Sequence, residues 1–136
     1  MGAGILGYAA VALGAGLGAV ARFLAAMAAL ALLGTGFAWG TLAANALGSF
    51  LICLYVGTAP PPGPDERPVQ LNRFVTAGFC GGFTTFSIFS LETLLLAMTA
   101  PAYAALYVAA SVLLWLGAGW AGFALAARIT PSRIGA

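Results

Sequence analysis

The most informative segment of the chain reads GFCGGFTTFSIFSLE, from Gly78 to Glu92. Glycine weakens a helix, so the adjacent pair Gly81 and Gly82 marks a candidate break inside this apolar segment. Thr84 and Thr85 follow at once, and their hydroxyls could satisfy the backbone groups that a break releases. The freed carbonyl oxygens could hold a small cation. A simple kink, or close helix packing through the glycines, is an alternative of equal weight.

Hydroxyl residues recur every three positions after the double glycine, at Thr84, Ser87 and Ser90. This spacing predicts that they share one helix face. A row of hydroxyl donors suits a small anion that must lose its water. Phe86 and Phe89 are also three residues apart and predict an adjacent face, where the positive ring edges could act as weak donors. The competing interpretation of the two phenylalanines is ordinary packing against protein or lipid.

The composition indicates that this segment belongs to a membrane protein. The 136 residues are 62% hydrophobic and 6% charged, with no histidine, whereas a soluble domain carries roughly a quarter charged residues. The chain contains four continuous apolar runs, rich in Ala, Leu and Gly. Each has the length of about 20 residues that a bilayer-spanning helix needs. We therefore predict a single all-α integral membrane domain over residues 1–136. Its spans are approximately residues 4–33, 39–58, 69–98 and 102–127.

The charged residues indicate the orientation of the chain. Its net charge of +2 is too small and too scattered for a nucleic-acid-binding surface. Four spans place both termini on one side of the membrane, and the proline-rich stretch 59–68 predicts a stiff, solvated loop on that side. An excess of arginines there favours cytoplasmic termini. These arginines are Arg67, Arg73, Arg128 and Arg133.

Polar residues inside the spans are the candidate functional residues, because each is costly in a bilayer unless it is paired or functional. Asn45 offers two donors and one acceptor to an ion path or to a neighbouring helix. Arg22 could anchor at an interface or set a positive potential at a pore mouth. Glu92 could close a hydrogen-bond network or carry protons. Tyr107 and Ser111, four residues apart, share a face on which packing with polar tips is the ordinary role.

Catalytic arrangements are missing from this set of residues. Glu92 has no second carboxylate beside it within the spans, which argues against paired acid–base chemistry. Without histidine, no Ser–His or Cys–His pair is possible. We therefore expect no enzymatic activity.

A chain of four helices encloses little interior, so we expect it to work as an oligomer. Two GxxxG motifs, one at Gly14 and Gly18 and one at Gly78 and Gly82, would support close helix contacts. The motif is weak evidence by itself, because glycine is common in membrane helices.

Three segments together resemble the Fluc/CrcB family of microbial fluoride channels. They are GAVARF (Gly18–Phe23), GTLAANALGSF (Gly40–Phe50) and the segment Gly78–Glu92. The resemblance implies a fluoride-selective channel that exports fluoride passively across the cell membrane of a microbe. It further implies an antiparallel, dual-topology homodimer with two pores, a third helix broken at mid-membrane, and a structural sodium ion on the two-fold axis.

The resemblance also implies roles for individual residues. The backbone carbonyls of Gly81 and Thr84 would hold the sodium ion, and the ring edges of Phe86 and Phe89 would coordinate fluoride. The polar fluoride-pore residues would be Asn45, Thr85, Ser87, Ser90 and Ser111. The pore mouth and its hydrogen-bond network would contain Arg22, Glu92 and Tyr107.

The sequence departs from the family pattern at Ile88, where threonine is usual, and at Phe23, where tyrosine is frequent. The arginines also lean to one side of the membrane, whereas dual insertion requires near balance. The main alternative function is a small proton-coupled drug exporter, which is also a four-helix, dual-topology dimer. Such exporters depend on a glutamate in the first helix, whereas here the first helix carries Arg22 and the glutamate is Glu92 in the third.

Overall fold

Helices account for all the regular structure in the part of the chain that the structure describes. The computed structural model describes residues 2–59 and 66–130, and no strand occurs there. The first two spans are single helices, α1 (Gly2–Leu33) and α2 (Trp39–Thr58). The last span is α6 (Pro101–Ile129). These bounds confirm the all-α prediction.

The third span is composite. It consists of α3 (Glu66–Arg73), a π-helical segment (Phe74–Cys80), α4 (Gly81–Phe83) and α5 (Phe86–Thr99). Because α3 begins at Glu66, the end of the predicted loop 59–68 is helical. Residues 60–65 of that loop and Arg133 lie outside the described residues.

Four helical stretches are long and apolar enough to cross a membrane. They are Gly4–Leu33, Trp39–Thr58, Val69–Thr99 and Pro101–Ile129, with mean hydropathies from 1.4 to 2.0. Only 6 to 22% of the residues in their most apolar windows are buried within the chain. Most apolar side chains therefore face outward, as expected for a multi-pass membrane protein in contact with lipid.

The tightest contact in the first half of the third span is made by the two GxxxG motifs. A Cβ atom on Gly14 would come within 2.9 Å of the Gly78 Cα, and one on Gly18 within 2.8 Å of the Phe83 backbone nitrogen. A Cβ atom on Gly82 would lie 2.8 Å from the Ala15 Cα. The motifs thus pack α1 against the π-helical segment and α4 within one chain, because only glycine allows the backbones to approach this closely.

Helices α2 and α6 pack side by side in the same way. A Cβ atom on Gly122 would lie 3.1 Å from the Leu54 backbone nitrogen, and one on Gly119 would lie 3.3 Å from Cys53 Sγ. Near the ends of both helices, the Thr130 hydroxyl donates to the Gly57 carbonyl at 3.3 Å. This pairing supplies the face of α2 and α6 against which the second half of the third span lies.

Helical geometry is lost at Thr84 and Thr85, two residues that we call the break. Their φ and ψ angles are −82° and 160° for Thr84 and −150° and 124° for Thr85, so both are extended. Gly81, by contrast, is helical at −63° and −37°. The prediction of a break at the double glycine was therefore wrong by a few residues, because Gly82 is packed against α1 as regular helix. The third span as a whole bends only slightly.

Candidate functional site: an interrupted helix surrounded by neutral donors

Asn45 holds the break by two hydrogen bonds. The Thr85 backbone amide donates to Asn45 Oδ1 at 2.7 Å, and Asn45 Nδ2 donates to the Thr85 carbonyl at 2.8 Å. Asn45 is 5% exposed, so its amide is committed to this contact with one Nδ2 hydrogen left over. Asn45 therefore forms hydrogen bonds between α2 and the third span, as one of its two sequence-based interpretations predicted. These bonds place Asn45 against the very residue at which the third span is interrupted.

Arg22 contacts the break from the α1 side. Its Nε donates to the Gly82 carbonyl at 3.2 Å. In a continuous helix this carbonyl would accept from the Phe86 amide, but Phe86 is the first residue of α5. Arg22 therefore satisfies an acceptor that the break releases and brings a positive charge to this point. The two terminal nitrogens of the guanidinium carry further N–H donors beyond this contact.

The hydroxyls near the break serve the backbone, as the sequence predicted. Thr84 Oγ1 donates to the Cys80 carbonyl at 2.9 Å, and Thr85 Oγ1 accepts from the Ile88 amide at 3.2 Å, which caps α5. Thr85 Oγ1 also lies 3.2 Å from Ser87 Oγ. Ser90 Oγ donates to the Phe86 carbonyl at 2.9 Å.

The predicted hydroxyl face is only partly correct. Ser87 and Ser90 belong to α5 and are exposed in the single chain. Thr84 is extended and precedes that helix, so the spacing of three residues does not place it on the same helical face. A periodicity argument applies only within one continuous helix, and the break separates Thr84 from the other two.

The two phenylalanines of α5 have different surroundings. Phe86 is 73% exposed, whereas Phe89 is 6% exposed. Their ring centroids lie 5.7 Å apart with an interplanar angle of 52°. Phe89 also contacts the rings of Tyr107 at 5.3 Å and Trp115 at 4.7 Å, the latter at 72°. Phe89 is therefore packed against α6, whereas the ring of Phe86 lies on the surface of the single chain.

Glu92 is at the centre of a hydrogen-bonded cluster. Thr41 Oγ1 donates to Glu92 Oε1 at 2.8 Å, and the Tyr107 hydroxyl donates to Glu92 Oε2 at 2.7 Å. The prediction of a network through Glu92 and Tyr107 is consistent with this geometry. Sequence reasoning missed Thr41, although its position four residues before Asn45 places both on one face of α2.

Three cavities lie along these residues and share walls. The break cavity, about 310 Å³, is lined by Asn45, Thr85, Phe86 and Trp115 among others. The arginine cavity, about 330 Å³, is lined by Arg22, Thr41, Thr85 and Ile88. The glutamate cavity, about 670 Å³, is lined by Thr41, Ile88, Glu92 and Tyr107 among others. Thr85 borders the first two cavities, and Thr41 borders the second and third, so a threonine lies at each shared wall.

Two backbone carbonyls at the break have lost their helical donors. The Thr85 amide, which would donate to the Gly81 carbonyl in a continuous helix, donates to Asn45 instead. The Ile88 amide, which would donate to the Thr84 carbonyl, donates to Thr85 Oγ1. A Cβ atom on Gly81 would meet only the Thr76 carbonyl oxygen, at 3.8 Å, so the space beside it is open. The carbonyls of Gly81 and Thr84 therefore fit the oxygen ligands of a hard cation.

Acidic, histidine and cysteine side chains do not offer an alternative metal site among residues 2–59 and 66–130. No group of three or more of them comes together there. Cys53 and Cys80 are free thiols.

Comparison with known proteins places this site in a family. A family model described as "CrcB-like protein, Camphor Resistance (CrcB)" matches residues 9–123. The chain belongs to the CrcB family. The matched residues include the whole CrcB site described above, from Arg22 on α1 to Trp115 on α6.

Individual CrcB relatives match most of the chain. The fluoride-specific ion channel FluC 1 of Rhodopseudomonas palustris (strain BisB18) is 46% identical over 123 residues, which cover 90% of this chain and 87% of that protein. FluC 1 of Bradyrhizobium diazoefficiens is 43% identical over 122 residues, which cover 89% and 84%. The FluC protein of Geobacter sulfurreducens is 45% identical over 120 residues, which cover 88% and 94%. All three are named ion channels rather than enzymes, in agreement with the sequence-based expectation.

Proposed function

We propose that this protein is a fluoride-selective channel that lets fluoride leave the cell passively across the cell membrane. The observation that carries the proposal is the 46% identity, over 90% of the chain, to a protein named as a fluoride-specific ion channel. The geometry supports it, because hydroxyl, amide and aromatic groups lie among the mostly apolar walls of the cavities along the break. Such neutral donors can replace the water of a small anion without holding it too tightly to leave.

In the proposed mechanism, fluoride passes along the break cavity, where it meets donors from α2, from the break itself and from α5. The remaining Nδ2 hydrogen of Asn45 and the free hydroxyl hydrogen of the Thr85–Ser87 pair would donate to the ion. Ser90 would join them by turning its hydroxyl away from the Phe86 carbonyl. The edges of Phe86 and Phe89 would add weaker contacts. Arg22 would supply a positive potential near the path. Glu92 accepts hydrogen bonds from Thr41 and Tyr107, which would hold its carboxylate in place.

A second copy of the chain is part of the proposal. Gly81, Phe86, Ser87 and Ser90 are all exposed in the single chain, although polar groups in a bilayer require protein or water beside them. An antiparallel, dual-topology homodimer would cover this surface and create two equivalent pores. Its two-fold axis would bring the Gly81 and Thr84 carbonyls of both copies around one structural sodium ion. When bound, that ion supplies a fixed positive charge near the path.

A proton-coupled drug exporter is not favoured. The described part of α1 carries Arg22 and no acid, and the relatives that match most of the chain are named as fluoride channels. The carboxylate of Glu92 already accepts two hydroxyl hydrogen bonds. An exporter would require a proton gradient, whereas a channel would not.

The test is fluoride efflux from proteoliposomes of the purified protein, measured with a fluoride electrode and without a pH gradient. We expect fluoride efflux and no comparable chloride efflux. Phe86→Ile should largely abolish fluoride efflux while the dimer stays folded, since it removes the exposed ring edge. Phe123→Ile on α6 is the matched control and should conduct normally. Equal chloride efflux, or no fluoride efflux from the wild-type protein, would overturn the proposed function.

A further inference from the structure

Two buried polar atoms on α6 have no hydrogen-bond partner among the described residues. They are Ser111 Oγ and Trp115 Nε1. Both residues follow Tyr107 at intervals of four, so the three share one face of α6. Tyr107 is satisfied, because its hydroxyl donates to Glu92. The next two polar groups along the same face are therefore the unsatisfied ones.

The indole N–H of Trp115 requires a particular kind of partner. An indole nitrogen is a donor only, whereas the Ser111 hydroxyl can also accept. A buried donor without an acceptor destabilises the protein, so Trp115 Nε1 requires a carbonyl, a water oxygen or an anion. The sequence alone does not single out Trp115, because a tryptophan in a membrane helix is ordinarily an apolar or interfacial residue.

The location of Trp115 is that of an ion-path residue. Its ring lies 4.7 Å from the Phe89 ring at an angle of 72°. Trp115 also lines the break cavity together with Asn45, Thr85 and Phe86. Its Nε1 atom is buried, so a small turn of the indole towards the cavity would be needed before an anion there could accept from it, and that anion would have lost water on that side. This arrangement suits a small anion and disfavours a larger one.

We propose that the Trp115 indole N–H donates to the permeating fluoride beside Ser111 and Phe89, which makes Trp115 a specificity-determining residue of this chain. The inference rests on the proposed function of fluoride conduction. It extends the donor line of α6 by one helical turn beyond Ser111, towards the break.

The first measurement compares fluoride efflux from two tryptophan variants in proteoliposomes. Trp115→Phe keeps an aromatic ring against Phe89 and removes the donor, and we expect it to lower fluoride efflux about tenfold, the effect of one lost hydrogen bond on a barrier. Trp120→Phe is the matched control on the same helix. Trp120 is 75% exposed, so this variant should conduct like the wild-type protein. Normal efflux from Trp115→Phe would overturn the proposal.

The second measurement separates donation from simple packing. In ¹⁵N spectra of the labelled wild-type protein, the indole N–H resonance that disappears in Trp115→Phe is that of Trp115. It should move when sodium chloride is replaced by sodium fluoride, whereas the resonances of Trp39 and Trp120 should not. An unmoved resonance would overturn the proposal even if Trp115→Phe conducts poorly, because Trp115 would then only position Phe89. This measurement also decides the matter if Trp115→Phe does not fold, with Trp115→Tyr then used to assign the resonance.

Failure of the proposed function gives a different result. In that case the wild-type protein would show no fluoride efflux at all. A fluoride-dependent shift of the Trp115 resonance would then still support anion binding at this indole, and its absence would refute it.

Discussion

The two halves of the third span are held in opposite ways. The half before the break lies against α1 through glycine, with backbone atoms in direct contact at Gly14, Gly18 and Gly78. The half after the break is held by side-chain hydrogen bonds to Asn45 and through Glu92 and by aromatic contacts around Phe89. The first half rests mainly on backbone packing, to which Arg22 adds a side-chain hydrogen bond at the Gly82 carbonyl. In the second half, the side chains that hold the helix in place are also the groups that a permeating ion would meet in the proposed path.

This difference teaches where substitutions should damage the fold and where they should damage conduction. Close backbone packing leaves no room for additional atoms, so added volume there should destabilise the whole fold. Hydrogen-bonded side chains can be changed with smaller effects on stability, but each change alters the donors along the proposed ion path.

The largest effect is expected from added volume at the glycine contact. Gly18→Ala would place a Cβ atom 2.8 Å from the Phe83 backbone nitrogen, and we expect it to destabilise the protein by about 3 kcal/mol, because backbone cannot move aside as a side chain can. The measurement is the unfolding transition in detergent. Gly16→Ala is the matched control, since nothing lies within 4 Å of its Cβ position. Equal stabilities of the two variants would remove the distinction between the halves.

The next largest effect is expected at Asn45, whose two hydrogen bonds hold the break. Asn45→Asp replaces the donor to the Thr85 carbonyl by a carboxylate oxygen and puts a negative charge beside the path. We expect fluoride efflux to fall by about 100-fold or more, because like charges held close together cost several kcal/mol. Asn72→Asp, at an exposed position of α3, is the control and should conduct normally. Efflux from Asn45→Asp equal to that of the control would exclude Asn45 from the path.

The smallest effect is expected in the Glu92 cluster. Tyr107→Phe removes one hydroxyl donor to the carboxylate and should destabilise the protein by about 2 kcal/mol, the ordinary contribution of a hydrogen bond to a charged group. Tyr103→Phe, where the tyrosine is 68% exposed, should leave stability unchanged. Both are measured by unfolding in detergent. If Tyr107→Phe were as stable as Tyr103→Phe, the cluster would not be a structural support of α5.

Some of the site could be predicted from sequence because the residues concerned are close together in the chain. Thr85 caps α5 through Ile88, three residues on, and this is local chemistry. Thr84 and Thr85 also satisfy backbone groups near an interruption of the third span, as their hydroxyls indicated. The selection of Asn45, Arg22 and Glu92 followed from the cost of polar groups in a bilayer, and each proves to have a specific partner.

Other features could not be predicted, because they depend on residues far apart in the sequence. The break lies at Thr84 and Thr85 rather than at the double glycine, since Gly82 is packed on Ala15 and the Thr85 amide has Asn45 as an acceptor. Thr41 joins the Glu92 cluster from 51 residues away. Trp115 was indistinguishable in sequence from an apolar residue, and what singles it out is a buried nitrogen with no hydrogen-bond partner among residues 2–59 and 66–130.

The sequence by itself determined that this protein is a four-span, all-helical membrane protein, because hydropathy and segment length are properties of the chain alone. It also determined which polar residues had to find partners or a function. Only the tertiary structure decided which partners they found. The partners come from different helices, and the glycine contacts set how closely these helices approach one another. No local sequence pattern specifies that approach.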